Sequence, residues 1–379
     1  MMEILYVFPE PLPLPRARGI QVTHTVAALA QAGITVHLAY VPTAGQPDPL
    51  AAYGIERPPG VELVPLSRGL PAPFSRLPLH SNRLFFYRLR RWLKQQARHG
   101  RAPGLIMARH LKIAHALLER VPGIPLLYEA HEVFADVTLP HKRARLAAIE
   151  ATVLRRAREL IAVTRGAAED LKMRYRLTRE IHVLPDAVSW PAQVPDKPWH
   201  EAVRHIVYAG SFFPWKGVQD LVAAAQWLPG CRLTLVGGSP ERIGEFRTQL
   251  ADTGAEVVFT GHVSHAQALA ALGGACIAVL PNRAEPNSLW SSPLKLFEYM
   301  AAGCAVVAAD LPSIREILAE DEAEWVAPGD PRALADGIRR LADDPERARR
   351  LGERLRERAR NFTWEARAGQ LIAIMRKIA

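Results

Sequence analysis

The sequence predicts an α/β fold made of two doubly wound lobes. Three observations support this prediction: the chain length, a regular alternation of strand-like and helix-like segments, and a proline-rich break between two such series. A chain of 379 residues is too long for most single cores and suits two domains of ordinary size. The alternation, about every ten to fifteen residues, is typical of parallel sheets covered by helices.

The first series of segments occupies residues 1–190. It opens with the strand EILYVF, a proline-rich loop, an apolar helical stretch from Ile20 to Ala32 and the strand ITVHLAYV. The same order returns in LLYEA, RLAAIEATVLRRAREL and LIAVT, which predict a strand, a helix and a further strand. Residues 1–190 are therefore expected to form a Rossmann-like amino-terminal lobe.

A connection and a second series follow. The segment WPAQVPDKPWH, residues 190–200, has three prolines and no apolar period, which indicates a link between lobes. Residues 191–362 predict a second Rossmann-like lobe, through HIVYAG, VQDLVAAAQWL, RLTLVGG, EVVFTGH, AQALAAL, CIAVLP, PLKLFEYMAA, CAVVAAD and EWVAP. We expect a helix at about residues 363–379 to pack back on the first lobe, and a cleft between the lobes at the carboxyl ends of both sheets.

The composition is that of a soluble globular protein, with 49% apolar and 23% charged residues. No apolar run approaches the roughly 18 to 20 residues of a membrane span, and MMEILYVFPEP lacks the pattern of a secretory signal. We therefore expect a cytoplasmic protein. Cys231, Cys276 and Cys304 lie far apart in apolar surroundings, which predicts buried thiols rather than a metal site.

The net charge of +10 is concentrated in the first half of the chain. Residues 1–190 hold 26 Lys+Arg against 15 Asp+Glu, whereas residues 191–379 hold 22 against 23. This asymmetry indicates an anionic partner for the first half: nucleic acid, an acidic membrane face or a phosphorylated substrate. Acids and bases alternate in the tail from Asp330 onward, so that stretch predicts solvated helix faces.

Two loops of the second lobe could approach a phosphate at the carboxyl edge of its sheet. In AGSFFPWKG, Ser211 and Lys216 lie just before a helix, and Lys216 could pair with the phosphate or remain a solvated loop lysine. In LVGGSP, two glycines including Gly238 could permit close approach of a ligand, or form an ordinary turn.

A third place is WSSPLKLFEYMAAG, residues 290–303. Ser291 or Ser292 is expected to cap the helix with Pro293 at its first position, so that the amides of Leu294 and Lys295 face an anion. Lys295 and Glu298 are three residues apart and so share one side of the helix. They could hold one ligand, or form a surface ion pair worth about 0.2–0.5 kcal/mol.

The second lobe resembles the retaining nucleotide-sugar glycosyltransferases of the GT-B fold, in the large family numbered four. The resemblance covers roughly residues 205–365, through AGSFFPWKG, LTLVGGSP, VVFTGHVS, AVLPNR, SSPLKLFEYMAAGCAVVAAD, SIREIL and WVAPGDPRALADGI in this order. It implies a carboxyl-terminal lobe that binds the nucleoside-diphosphate sugar and an amino-terminal lobe that binds the acceptor. It also implies that no metal and no further cofactor is needed.

The resemblance assigns roles to residues of the second lobe. Lys216 matches the lysine that contacts the donor diphosphate, Glu298 matches the glutamate that binds the ribose hydroxyls, and the amides from Ser292 to Lys295 would meet the diphosphate. Ser211 stands where the family usually has a phosphate-binding arginine, and Lys295 is a candidate replacement. Trp290 stands where the family has a first glutamate. Glu285 is the nearest upstream acid that could act instead.

In the first lobe, the resemblance points to three positions. His131, followed by Glu132, matches the family histidine near the donor sugar and is a candidate catalytic residue. Gly19 in PRARGIQ matches the glycine-rich turn that approaches the diphosphate. Asp186 in VLPDAV is either an interdomain structural residue or a contact of the donor sugar.

The segment NRLFFYRLRRWLKQQARHGR, residues 82–101, predicts an amphipathic helix. One face carries Phe86, Leu89, Leu93 and Ala97, and the other carries Arg83, Arg90, Arg91, Lys94 and Arg98. One interpretation is a surface for anionic lipid head groups or a lipid-pyrophosphate acceptor, which would bring the protein to the inner face of the cell membrane. The other is an ordinary helix whose apolar face lies in the core.

Together these features predict a retaining glycosyltransferase that uses a UDP- or GDP-sugar. Its acceptor would be a hydroxyl of a glycan, a glycolipid, a lipid pyrophosphate or a small molecule, in polysaccharide or glycolipid biosynthesis. The missing first glutamate leaves open a sugar-nucleotide epimerase, a phosphorylase or an inactive donor-binding protein with the same fold. A nucleic-acid-binding protein is a further alternative from the basic first half, but the sequence contains no recognisable nucleic-acid-binding module.

Overall fold

The computed structural model describes residues 2–14, 16–46, 48–69, 82–136, 138–191, 197–250 and 254–378. The chain divides into two compact units. The first unit comprises Met1–Pro185 with Trp364–Ala379, and the second comprises Asp186–Thr363. Residues 192–196 of the expected connection lie outside the described residues.

The first unit contains a seven-stranded parallel sheet in the order β3-β2-β1-β4-β5-β6-β7. Its strands are β1 Glu3–Leu12, β2 Thr35–Pro42, β3 Val61–Pro65, β4 Leu105–Ala108, β5 Leu126–Ala130, β6 Glu159–Ala162 and β7 His182–Val183. Its helices are α1 Ala17–Gln31, α2 Asn82–Arg98, α3 Leu111–Arg120, α4 Pro140–Arg156, α5 Arg165–Tyr175 and, from the end of the chain, α15 Trp364–Arg376.

The centre of this sheet is apolar on both faces, as a parallel sheet covered by helices requires. Ile4 to Phe8 of β1 are almost completely buried. Helix α15 packs against α1, where the rings of His24 and Trp364 stack with centroids 5.4 Å apart. The last helix of the chain therefore belongs to the first unit.

The second unit contains a six-stranded parallel sheet in the order β10-β9-β8-β11-β12-β13. Its strands are β8 His205–Ala209, β9 Arg232–Val236, β10 Glu256–Gly261, β11 Ile277–Leu280, β12 Ala305–Ala309 and β13 Glu324–Val326. Its helices are α6 Trp199–Ala202, α7 Val218–Ala224, α8 Pro240–Arg247, α9 His265–Gly273, α10 Pro286–Leu289, α11 Leu294–Ala301, α12 Pro312–Arg315, α13 Pro331–Ala342 and α14 Pro345–Ala359.

Both sheets are doubly wound, as predicted. The strand order reverses between β1 and β4 in the first unit, and between β8 and β11 in the second. Loops at the carboxyl ends of strands beside such a reversal form the usual ligand sites of this architecture. The topology therefore predicts that ligands bind at the loops that follow β1, β4, β8 and β11.

Several smaller predictions are confirmed. Cys231, Cys276 and Cys304 are buried free thiols. The charged tail forms α13 and α14, where the partly exposed Arg349 pairs with both Glu346 and Glu353. No helix in the described parts of the chain combines the length and the hydrophobicity that a membrane span requires.

Candidate functional site

Three loops meet at the carboxyl edge of the second sheet, and glycines allow their backbones to touch. Gly237, after β9, has φ +117°, and a Cβ there would lie 2.1 Å from the carbonyl oxygen of Gly210, after β8. Gly217 has φ +70°, and its Cβ would lie 1.7 Å from the carbonyl oxygen of Pro281, after β11. A side chain at either position would force the loops apart.

Gly238 has a packing reason of the same kind. Its φ is +85°, and a Cβ would lie 2.4 Å from the ring of Phe212. Packing within the second unit is therefore sufficient to explain this glycine. A contact of Gly238 with a donor stays a prediction.

Lys216 ends a short 3-10 turn, Pro214–Lys216, in the loop after β8. Its Nζ lies 3.7 Å from the centroid of the Trp215 ring. Burial lowers the pKa of Lys216 to about 7, so this ammonium is only partly retained at neutral pH. The exposed Ser211 lies earlier in the loop, where its carbonyl accepts a hydrogen bond from the Tyr208 hydroxyl (2.8 Å).

Lys295, in the first turn of α11, is 8% exposed and its Nζ forms no hydrogen bond with any described residue. The Nζ lies 3.9 Å from the centroid of the Tyr208 ring. Burial lowers the pKa of Lys295 well below its usual value, the charge of Lys216 lowers it further, and Glu298 opposes both. Two desolvated lysines that repel each other would be stabilised in their charged form by a bound anion.

Glu298 does not pair with Lys295, although the two are three residues apart. Its Oε1 lies 2.7 Å from Nε2 of His265 at the start of α9. Burial would lower the pKa of His265, but the hydrogen bond and the charge of Glu298 raise it. The expected alternative of a Lys295–Glu298 surface ion pair is therefore wrong.

Sequence reasoning missed His265. The signal that could have found it is Ser264–Gln267, which forms a capping box and so starts α9 at residue 265. A helix start after β10 brings this imidazole to the carboxyl edge of the sheet. The boundary between β10 and α9, rather than the residue type, therefore indicates that His265 lies at this edge.

The expected serine cap of α11 is also wrong. The helix begins at Leu294, with Pro293 in the capping position and no side-chain cap. The hydroxyl of Ser292 instead accepts a hydrogen bond from the backbone N–H of Asp186 (3.0 Å). The amides of Leu294 and Lys295 still belong to the first turn, whose N–H groups have no partner within a helix.

The position of the missing glutamate is filled by a buried ring. Trp290 is 8% exposed and follows the short helix α10, for which the partly exposed Glu285 is the capping residue. The carbonyl of Glu285 accepts hydrogen bonds from the N–H groups of Ser288 (2.8 Å) and Leu289 (3.3 Å). The catalytic role of Glu285 stays a prediction.

An ion pair between a partly exposed arginine and a buried carboxylate links the loop after β11 to α7. Arg283 donates two hydrogen bonds to Asp220, at 2.8 and 2.6 Å, and Asp220 is almost completely buried. The N–H of Arg283 also donates to the carbonyl of Trp215 (3.0 Å). These contacts hold the turn that carries Lys216, and sequence reasoning did not anticipate them.

In the first unit, His131 lies just after β5 and next to a buried charge. Its Nε2 is 3.5 Å from Oε1 of Glu129, a carboxylate with no exposure. Arg367 of α15 pairs with the same Oε1, and Gln21 of α1 donates to it at 3.1 Å. Burial alone would raise the pKa of Glu129, but Arg367 and His131 hold it well below its usual range.

The network extends one step further to Arg109, just after β4, which donates to Oε1 of Gln21 (2.6 Å). Side chains from two helices and the ends of two strands therefore surround the carboxylate beside His131. This connection gives the expected catalytic histidine a fixed neighbour. Neither Glu129 nor Arg367 was among the residues that the sequence singled out.

Gly19 is helical rather than part of a turn, and its approach to a donor diphosphate stays a prediction. It lies in the first turn of α1, and a Cβ there would meet the hydroxyl of Tyr53 at 2.3 Å and the carbonyl of Leu14 at 2.6 Å. That hydroxyl bonds both the N–H and the carbonyl of Leu14, each at 2.7 Å. The missing side chain thus accommodates the packing of the loop after β1 within the first unit.

Helix α2 packs its apolar face into the core, as the second interpretation expects. Phe86, Leu89 and Leu93 are buried. A contact of its cations with anionic lipid or with a lipid-pyrophosphate acceptor stays a prediction. Ala97 is exposed, so the buried face ends at Leu93. The cations predicted for the acceptor or the membrane lie outside this face, with Arg83, Arg91 and Lys94 exposed and Arg90 partly exposed.

Family models match most of the chain. The description "Glycosyltransferase Family 4" matches residues 19–189, and "Glycosyl transferases group 1" matches residues 203–344. The first match covers most of the first unit, and the second covers all strands of the second sheet. The two matches meet near the boundary between the units.

Individual proteins are similar to this chain in sequence or in fold. Alpha-maltose-1-phosphate synthase of Mycolicibacterium smegmatis is 27% identical over 303 residues, which is 70% of this chain and 76% of that protein. Sucrose-phosphate synthase of Thermosynechococcus elongatus has a TM-score of 0.76 at 23% identity, over 100% of this chain and 99% of that one. Anabaena HepE in complex with UDP-glucose has a TM-score of 0.74 at 15% identity, over 100% of both chains.

Proposed function

Because the chain belongs to the group 1 glycosyltransferases of the GT-B fold, we propose that it transfers a sugar, with retention, from a nucleoside diphosphate to an acceptor hydroxyl. The second unit would bind the donor and the first unit would bind the acceptor. Glycans, lipid-linked sugars and small molecules are the acceptor classes that fit this assignment. Anabaena HepE was solved with UDP-glucose, which makes that donor the first one to test.

One observation carries the donor assignment: the buried, unpartnered ammonium of Lys295 beside Lys216. Neither lysine forms an ion pair with a described residue, and a diphosphate would supply that partner. Glu298 has one carboxylate oxygen on His265, which leaves the other for a ribose hydroxyl. Lys295 and Glu298 thus follow each other along α11 as the diphosphate and the ribose follow each other in a nucleotide.

The same cations would also act during the reaction. As the glycosidic bond breaks, the leaving diphosphate gains negative charge, and Lys216, Lys295 and the first amides of α11 would stabilise it. Retention would follow if the acceptor attacks the face from which the diphosphate departs, with the leaving phosphate oxygen accepting the acceptor proton. A buried tryptophan at position 290, where a carboxylate was expected, favours this route over a covalent glycosyl-enzyme.

Donor binding tests the proposal first. Thermal shift with UDP-, GDP- and ADP-sugars should identify one base, and Lys216→Ala and Glu298→Gln should each weaken its binding about tenfold or more. Arg247→Ala on α8 is the matched control, because its exposed side chain forms no ion pair with a described residue. If no nucleotide sugar stabilises the wild-type protein, the donor assignment fails.

Measurement of turnover tests the proposed transfer reaction. With a bound donor, an active enzyme should release the nucleoside diphosphate slowly to water and faster with its acceptor. Proton NMR of the product should show the anomeric configuration of the donor, and an inverted product would contradict retention. Tight binding without any release of nucleotide would instead favour a donor-binding protein, the second candidate that Trp290 leaves open.

A further inference from the structure

A groove of about 390 Å³ lies between α3 and α4 in the first unit. Lys112 and His115 of α3 line one side, and Lys142 and Arg145 of α4 line the other. Leu146 and Ile149, both partly exposed, complete the lining. The groove thus combines a basic rim with an apolar patch, and no acidic side chain lines it.

The basic side chains of this groove have no ion-pair partners among the described residues. None of the side chains of Lys112, His115, Lys142 and Arg145 forms an ion pair or a hydrogen bond with any described residue. Like charges gathered around one groove repel each other, and a bound anion would relieve that repulsion.

The amino-terminal ends of α3 and α4 add positive potential to the groove. Neither α3 nor α4 has an acidic residue in its first turn, where acids are normally favoured. Lys112 and Lys142 lie in those first turns, so their charges add to the positive ends of two helices. Both helices follow neighbouring parallel strands, β4 and β5, and therefore begin at the same edge of the sheet.

A second basic cavity shows what structural arginines look like in this fold. It measures about 450 Å³ and is lined in part by Arg155, Arg156 and Arg179. These side chains donate to carbonyls at helix ends: Arg155 to Tyr175, Arg156 to Leu118 and Arg179 to Ala157. Their charges therefore have partners, in contrast to those between α3 and α4.

We propose that the groove between α3 and α4 binds a phosphate ester, with the phosphate on the basic rim and the organic part on Leu146 and Ile149. The volume is within the range of small-molecule sites. The phosphate could belong to a soluble ester or to a lipid head group, because both present the same chemistry to the groove. This inference needs no donor and no turnover, so it can fail independently of the proposed transfer.

Two probes distinguish the sources. Binding of sn-glycerol 3-phosphate is measured by isothermal titration calorimetry. Co-sedimentation is measured with phosphatidylcholine vesicles that contain phosphatidylglycerol, at constant ionic strength.

The wild-type protein should bind at least one probe, and Lys142→Glu/Arg145→Glu should weaken that binding about tenfold or more. Lys112→Glu, on the other helix, should act in the same direction. The side chains of these three residues are exposed, so the variants are expected to fold. Circular dichroism checks this.

The matched control is Arg247→Glu/Arg350→Glu in the second unit, which changes the net charge by the same amount. Both side chains are exposed and form no ion pair with a described residue. Binding of the soluble ester alone, or of vesicles alone, supports the site and identifies the source. The proposal is overturned if the wild type binds neither probe, if the groove variants bind like the wild type, or if the control loses as much binding.

Discussion

Replacing Arg367 by methionine should strongly destabilise the first unit. Arg367 is 4% exposed, and it is the charged partner of Glu129, which has no exposure. Without the guanidinium, Gln21 and His131 remain as contacts of the carboxylate among the described residues. Removing one partner of a buried ion pair typically costs about 3–5 kcal/mol, since the other charge stays buried.

The cost should depend on pH in a defined direction. In the wild type, Arg367 holds the pKa of Glu129 below its unfolded value of about 4.3, so the pair stabilises the fold above that pH and loses this effect below it. In the variant, burial raises the pKa of Glu129 above the unfolded value. The penalty is then complete at neutral pH and decreases as the pH falls and the carboxyl becomes protonated.

Hydrogen exchange of β5, read by mass spectrometry, measures this effect locally, because the two units need not unfold together. A loss of 3–5 kcal/mol corresponds to exchange that is about a hundred to several thousand times faster. The double variant Glu129→Gln/Arg367→Met is the control and should recover most of the loss, since it buries no charge. A single variant that loses less than about 1 kcal/mol, or a double variant that recovers nothing, would refute the reasoning.

Three further predictions concern the second unit. Lys295→Met should raise the melting temperature, because it removes a buried amino group that has no hydrogen-bond partner among the described residues, and should weaken UDP binding about tenfold or more; equal stability and affinity would contradict both parts. His265→Ala should weaken UDP binding about five- to tenfold by releasing Glu298, and restoration by His265→Asn would identify the hydrogen bond as the cause. UDP affinity, followed by calorimetry, should fall as the pH rises above about 7, because Lys216 then loses its proton. Lys216→Arg should reduce that slope, and an unchanged slope would assign the titration to another group.

The doubly wound fold follows directly from the sequence. Parallel strands are buried on both faces, so segments such as HIVYAG and CAVVAAD appear as continuous apolar runs, and β8 and β12 lie within them. Helix boundaries were less accurate. The start of α11 depends on the hydroxyl of Ser292, which has a partner at Asp186 that is distant in sequence.

Part of the candidate site was also accessible from local sequence. Lys216 follows a strand and precedes a helix, and Lys295 and Glu298 share one helix, so a short window contains the information that groups them. Their partners were not accessible in this way. His265 is 33 residues from Glu298, and Arg367 is 238 residues from Glu129.

The sequence by itself determined the alternation of strands and helices, the order of the loops and the residue types available at the carboxyl edge of each sheet. The tertiary structure decided which buried charges have partners: Glu298 pairs with His265, Glu129 pairs with Arg367, and Lys295 has no hydrogen-bond partner among the described residues. The physical reason is that periodicity and chain direction are local, whereas the cost of a buried charge depends on groups that only folding brings together.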